Sequence, residues 1–188
     1  MSKSLSGAKI AMLIANGFHQ DEMIGLQKSL TSLEASVRIV SPENGLVNGW
    51  DGKGWGHHFA VDVPLSTSLG ADYSALVVPG GQRSIEKLNL TAHTKRFINS
   101  FMDSEKPVVV LNNAANILIL ADQIRGRSVC APDQLKDAIE QAGGHWIDAP
   151  YHSDNNLMTI MTDKLGMEAM PEKVISGLTN QKNVVQAA

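Results

Sequence analysis

Residues 106–120 read KPVVVLNNAANILIL, and this stretch decides the fold. The apolar run 108–111 is the most hydrophobic in the chain and suits a short strand buried on both faces. Residues 113–120 continue as a helix with no room for a loop between the two. A strand that becomes a helix at once makes a tight elbow, and such elbows often force a positive φ. Asparagine tolerates that left-handed geometry better than most non-glycine residues, so Asn112 is expected to adopt it.

Working outward, the same alternation recurs. Residues 8–15 (AKIAMLIA) read as a buried strand, followed by Gly17 and a helix over 21–33. In that helix Met23, Leu26, Leu30 and Leu33 recur at helical spacing. Residues 36–40 (SVRIV) and 74–78 (SALVV) are two more strands, the second stopped by Pro79-Gly80-Gly81. Helices are predicted over 91–104, 133–142 and 167–178, and a strand over 157–161. Residues 45–63 are glycine-rich and hold Trp50 and Trp55, which predicts a small hairpin lying over the main sheet. Strand then helix, repeated, implies a doubly wound α/β fold with a mostly parallel sheet flanked by helices on both faces. There is no repeat or long linker, so residues 1–188 read as a single domain with its core at about 8–177.

Composition narrows the function. The chain has 188 residues, 43% hydrophobic and 19% charged, enough for one sizeable core. A net charge of −3 argues against non-specific nucleic-acid binding, which needs a basic face. No apolar run approaches the roughly 20 residues that span a bilayer. The start, MSKSLSGAK, lacks the apolar core of a secretory signal. One cysteine, Cys130, leaves no intramolecular disulfide and no multi-cysteine metal site. The expectation is a cytoplasmic protein with no metal and no cofactor.

In doubly wound sheets, ligands bind at the carboxyl ends of the strands. Three turns should therefore meet at one cleft: 16–19 (NGFH), 79–82 (PGGQ) and 112–114 (NNA). Backbone N–H groups at Gly80 and Gly81, and at the start of the 113–120 helix, would form a nest for a carboxylate or carbonyl oxygen. The plainer reading is that the two glycines only permit a sharp turn. Asn112 and Asn113 add amide donors and acceptors, and His19 adds a ring that an anion would favour as a cation. Asp21 and Glu22 sit in the first turn of a helix, where carboxylates suit the dipole.

At these residues the sequence resembles the PfpI branch of the ThiJ/PfpI family, related to class I glutamine amidotransferases. Residues 49–53 (GWDGK) with Trp55-Gly56 resemble a segment of that branch, as does the run 73–81 (YSALVVPGG). Lys106-Pro107-Val108 and Arg125-Gly126-Arg127 frame the nucleophile region in the same way. The resemblance covers about residues 8–175 and implies a flavodoxin-like fold. It also implies a cysteine at the elbow, in Ile-Cys-His-Gly, and a carboxylate from the first loop. Here the matching stretch is Leu111-Asn112-Asn113-Ala114, and the family's Gly-Phe-Glu-Asp is Gly17-Phe18-His19-Gln20. The family's Ser-Arg pair near the C-terminal strand is matched by Ile160-Met161.

These departures predict a disabled site, because an asparagine amide has no thiolate to attack with. Gly80, Gly81, Asn112, Asn113, Ala114 and His19 would then bind a small polar or anionic metabolite, or the protein would serve in an assembly. The alternative is a cysteine-independent hydrolase, glyoxalase or deglycase-like enzyme in which His19 and Glu22 activate water. Peptidase, glyoxalase and deglycase activities are ascribed to relatives. Relatives also form dimers or larger rings, so a homo-oligomer is expected.

Other residues carry structural readings. Cys130 reads as a small buried hydrophobe rather than a displaced nucleophile. Neighbouring His57 and His58 point to opposite sides of a strand and should not share a metal. Trp50, Trp55 and Phe59 read as hairpin packing or subunit contact. His93, His145 and His152 have no motif around them and read as surface or interface residues.

Overall fold

The protein is described from a computed structural model covering residues 4–179. A seven-stranded sheet forms the centre. Its strands in chain order are β1 (Lys9–Leu13), β3 (Ser36–Ser41), β6 (Val63–Pro64), β7 (Ala75–Val78), β8 (Val108–Leu111), β11 (Tyr151–Asp154) and β12 (Leu157–Ile160). Across the sheet they run β11-β12-β8-β7-β1-β3-β6. All pairs are parallel except β11 with β12. The order reverses between β1 and β7, so the crevice of a doubly wound fold opens there.

Period-two alternation divides each central strand between two cores. Ala11 and Leu13, Leu76 and Val78, and Val108 and Val110 face one side. Ile10 and Met12, Ala75 and Val77, and Val109 and Leu111 face the other. The first side is covered by α2 (Gln82–Leu88), α3 (Ala92–Asp103) and α4 (Asn116–Leu120), the second by α1 (Gln20–Ser32) and α7 (Met170–Thr179). Phe97 and Phe101 of α3 pack edge to face at 5.1 Å, with the Tyr73 ring 5.9 Å from Phe97. Each fully buried phenylalanine contributes about 2–3 kcal/mol.

The buried runs lie where expected, and the ends are refined by hydrogen bonding. The helix expected over 113–120 begins as a 3-10 turn, Asn112–Ala115, and becomes α-helical only at Asn116. The helix over 133–142 likewise starts as the 3-10 turn Asp133–Leu135 before α5 (Lys136–Gln141). Tighter turns are common where a helix starts directly from a strand or loop. Short elements that were not foreseen include β2 (Phe18–His19), β6, α2, β11 and the helix α6 (Thr162–Leu165). Strands β9 (Ser128–Cys130) and β10 (His145–Ile147) pair as a separate parallel ribbon.

The hairpin is β4 (Leu46–Trp50) and β5 (Trp55–Ala60). It forms a small sheet of its own with β2, in the order β2-β4-β5. Gln20 clamps it: its Oε1 accepts from the His57 N–H at 2.6 Å. Gly49 and Gly56 leave room for that side chain, since a Cβ at Gly56 would lie 2.0 Å from the same oxygen. Through β2, the hairpin fixes His19 at the crevice.

Candidate functional site

Asn112 follows β8 with φ +51°, the left-handed geometry expected of the elbow. Its carboxamide is held on both sides. Nδ2 donates to Glu22 Oε1 at 2.5 Å and to Thr162 Oγ1 at 2.7 Å, while Oδ1 accepts from the Thr162 N–H at 2.9 Å. Both amide hydrogens are therefore spent. Thr162 Oγ1 donates in turn to Glu22 Oε1 at 2.9 Å. The other carboxylate oxygen, Oε2, accepts from the Gly80 N–H at 2.8 Å.

Glu22 is thus the hub of the elbow. It sits in the first turn of α1, where its neighbour Asp21 points to solvent, yet its own side chain is 0% exposed. Burial pushes its carboxyl above the ordinary carboxylate range, since removing a charge from water is costly. Electrostatic attraction to His19 and the hydrogen bonds from Gly80, Thr162 and Asn112 pull it only part of the way back. A group so enclosed has no contact with bulk water.

His19 caps α1. Its Nδ1 accepts from the Glu22 N–H at 3.3 Å, and its own N–H donates to the Gly80 carbonyl at 2.8 Å. While that cap holds, the ring hydrogen lies on Nε2, so the exposed end of the ring is a donor rather than a base. Gly81, at φ +127°, opens α2. Its N–H donates to Asn113 Oδ1 at 3.0 Å, and Asn113 Nδ2 reaches Gln82 Oε1 at 3.4 Å. Of the backbone donors expected to cradle an oxyanion, those of Gly80 and Gly81 are already paired with protein acceptors. Ala114 is fully buried and contributes backbone alone.

A cleft of about 410 Å³ opens over this network, bounded by His19, Asn112, Asp133, Gln134, Asp163 and Lys164. That size suits a small ligand. A second cavity of about 190 Å³ adjoins it, reached by Asn113, Asn116 and Gln82. Pro132 and Gln134 line both. The Lys164 ammonium is paired with Asp148.

The structure brings His19, Gly80, Gly81, Asn112 and Asn113 together at one strand end, with Glu22 beneath them. Thr162 was missed. It follows residues 160–161 and has only one local signal, its place between a strand and a short helix. Cys130 lies on β9, buried, with Sγ donating to the Thr159 carbonyl at 3.1 Å; burial pushes its thiol up. It lines neither cavity. His57 and His58 are exposed on β5. Among the described residues no group of three or more His, Cys, Asp or Glu is arranged to hold a metal ion. Trp50 and Trp55 pack edge to face at 5.6 Å, and the Arg83 guanidinium lies 3.9 Å from the Trp50 ring. No helix among the described residues is long and apolar enough to cross a membrane.

Comparison with known proteins fits this architecture. The DJ-1/PfpI family profile matches residues 8–172. Deglycase PfpI of Pyrococcus furiosus is 30% identical over 148 residues, 79% of this chain and 86% of that protein. Protein DJ-1 homolog D of Arabidopsis thaliana is 34% identical over 108 residues, 55% of this chain, which spans only 28% of the plant protein's length. The crystal structure of a ThiJ/PfpI domain protein from Brachyspira murdochii superposes with a TM-score of 0.78 at 16% identity, covering 95% of this chain and 98% of that one. That likeness shows a shared fold, a mostly parallel sheet flanked by helices. The sequence matches carry the closer relationship, and on them the chain belongs to the DJ-1/PfpI family.

Proposed function

We propose that this chain is a binding member of its family that no longer performs covalent chemistry, holding a small polar or anionic ligand in the cleft over Asn112. The supporting observation is the state of the Asn112 carboxamide: both hydrogens and the oxygen are engaged by Glu22 and Thr162. An amide is a poor nucleophile to begin with, and this one is tied down. The water-activating alternative draws less support, since Glu22 is sealed from solvent and the His19 acceptor nitrogen is committed to a helix cap. Relatives are named deglycases, and any such activity here would need a different reacting group.

The test is an assay panel of methylglyoxal, peptide amides and glutamine. No turnover by the wild-type chain is expected. Turnover that Cys130→Ser leaves intact and His19→Ala abolishes would overturn the reading in favour of an enzyme.

Installing a thiol at the elbow gives a second check. Asn112→Cys is expected to be alkylated by iodoacetamide in the folded protein, because position 112 lines the open cleft. The wild-type chain, whose one cysteine is buried with its thiol pushed up, should be labelled only after unfolding. Equal labelling of the two native proteins would contradict the open elbow.

The proposal includes a cytoplasmic homo-oligomer, at least a dimer. Light scattering is expected to give a multiple of the chain mass, and a stable species of 20.2 kDa would refute it.

A further inference from the structure

We infer that the cleft takes a polyhydroxylated small molecule bearing no negative charge, an inference that rests on the binding reading above and narrows it. Most of the side-chain and glycine donors that would attract an anion are already used. The Gly80 N–H serves Glu22, the Gly81 N–H serves Asn113, and the Asn112 amide hydrogens serve Glu22 and Thr162. The Lys164 ammonium is paired with Asp148.

What remains directed at the cavity is different in kind. Asp133 and Asp163 are exposed carboxylates on the wall of the larger cavity, and each accepts hydrogen bonds only. Gln134 lines both cavities and Asn116 lines the smaller. Among the described residues neither carboxamide has a protein partner, and each offers donors and an acceptor together. His19 presents its Nε2–H.

A hydroxyl both donates and accepts, so a chain of hydroxyls satisfies carboxylates and carboxamides alike. A carboxylate or phosphate only accepts, and it would set a further negative charge beside Asp133 and Asp163. The two cavities adjoin along Pro132 and Gln134, with Asn112 at one and Asn113 at the other. Their shape suits an extended chain laid across the elbow more than a compact ion.

The experiment uses three molecules on one six-carbon scaffold: sorbitol, gluconate and the amine glucamine. Each is titrated into isotope-labelled protein while the side-chain amide signals of Asn112, Asn116 and Gln134 are followed. Saturable shifts with sorbitol and glucamine are expected, with gluconate weaker by about tenfold. Gln134→Ala should weaken sorbitol by about tenfold while leaving the thermal midpoint in place, since the residue is exposed. Gluconate binding as tightly as sorbitol would overturn the inference yet leave a binding site for an anion. Silence of these signals with all three would also overturn it. Failure of the underlying reading has a separate signature, turnover in the assay panel.

Discussion

Glu22→Ala is expected to lower the unfolding free energy by about 3 kcal/mol or more, a large share of the stability of a domain this size. The reason lies in what the carboxylate serves. Its removal leaves the Gly80 N–H and the Thr162 hydroxyl, both buried, and an amide hydrogen of the half-buried Asn112 without their acceptor. Each unsatisfied buried group costs about 1–3 kcal/mol, and relief of the carboxylate's own desolvation offsets part of the sum. Urea titration measures the loss. A change below about 1 kcal/mol would mean water replaces the carboxylate freely and the hub is not sealed.

Glu22→Gln separates charge from shape. The amide has one acceptor, so either the Gly80 N–H or the Asn112 side faces a donor. A loss smaller than that of the alanine variant is expected. The pH dependence follows from the raised carboxyl value. The folded protein holds this proton more tightly than the unfolded chain does. The stability Glu22 contributes is therefore fullest below the unfolded carboxylate range and is lost as pH rises through the folded value. The gap in stability between wild type and Glu22→Gln should narrow across that window. A gap that widens would show that the hydrogen bonds outweigh burial.

Gly81→Ala is the second large effect, expected to cost roughly 3–5 kcal/mol. At φ +127° an L side chain is strained whatever the space around it. An added Cβ would also meet the Gly17 carbonyl oxygen at 2.5 Å, with the His19 nitrogen and the Phe18 Cα both at 2.8 Å. These are backbone atoms of the first loop and β2, which is pinned through β4 to the hairpin, so none can retreat cheaply. The His19 N–H to Gly80 bond at 2.8 Å would be lost as well. Gly52→Ala is the control. Its φ is also positive, at +94°, but nothing lies within 4 Å of the added carbon. It should cost only about 1 kcal/mol from backbone strain. Equal losses at the two positions in urea titrations would show that the close approach of the two loops contributes nothing.

The buried parallel strands were legible because they are covered on both faces and so read as unbroken apolar runs, as in 8–15 and 108–111. The short edge strands left no such trace. Strand β2 has two residues and exists only because β4 pairs with it. Strand β11, with partly exposed Tyr151 and Ser153, takes its place from its partner β12. The positive φ at Asn112 was also legible, since a strand running straight into a helix needs a residue that accepts it.

The sequence by itself determined the doubly wound α/β fold and the meeting of three loops at the strand ends, because periodicity and turn chemistry are local properties. Only the tertiary structure decided which donors at that meeting point stay open. The contacts that close them join Glu22 to residues 58, 90 and 140 positions away, and Glu22 itself reads locally as an ordinary residue in a helix's first turn. Which groups pair is settled by which donors and acceptors the fold holds within hydrogen-bonding distance and angle. Here the Glu22 carboxylate and the Asn113 carboxamide occupy the Gly80 and Gly81 donors expected to cradle a ligand's oxygen.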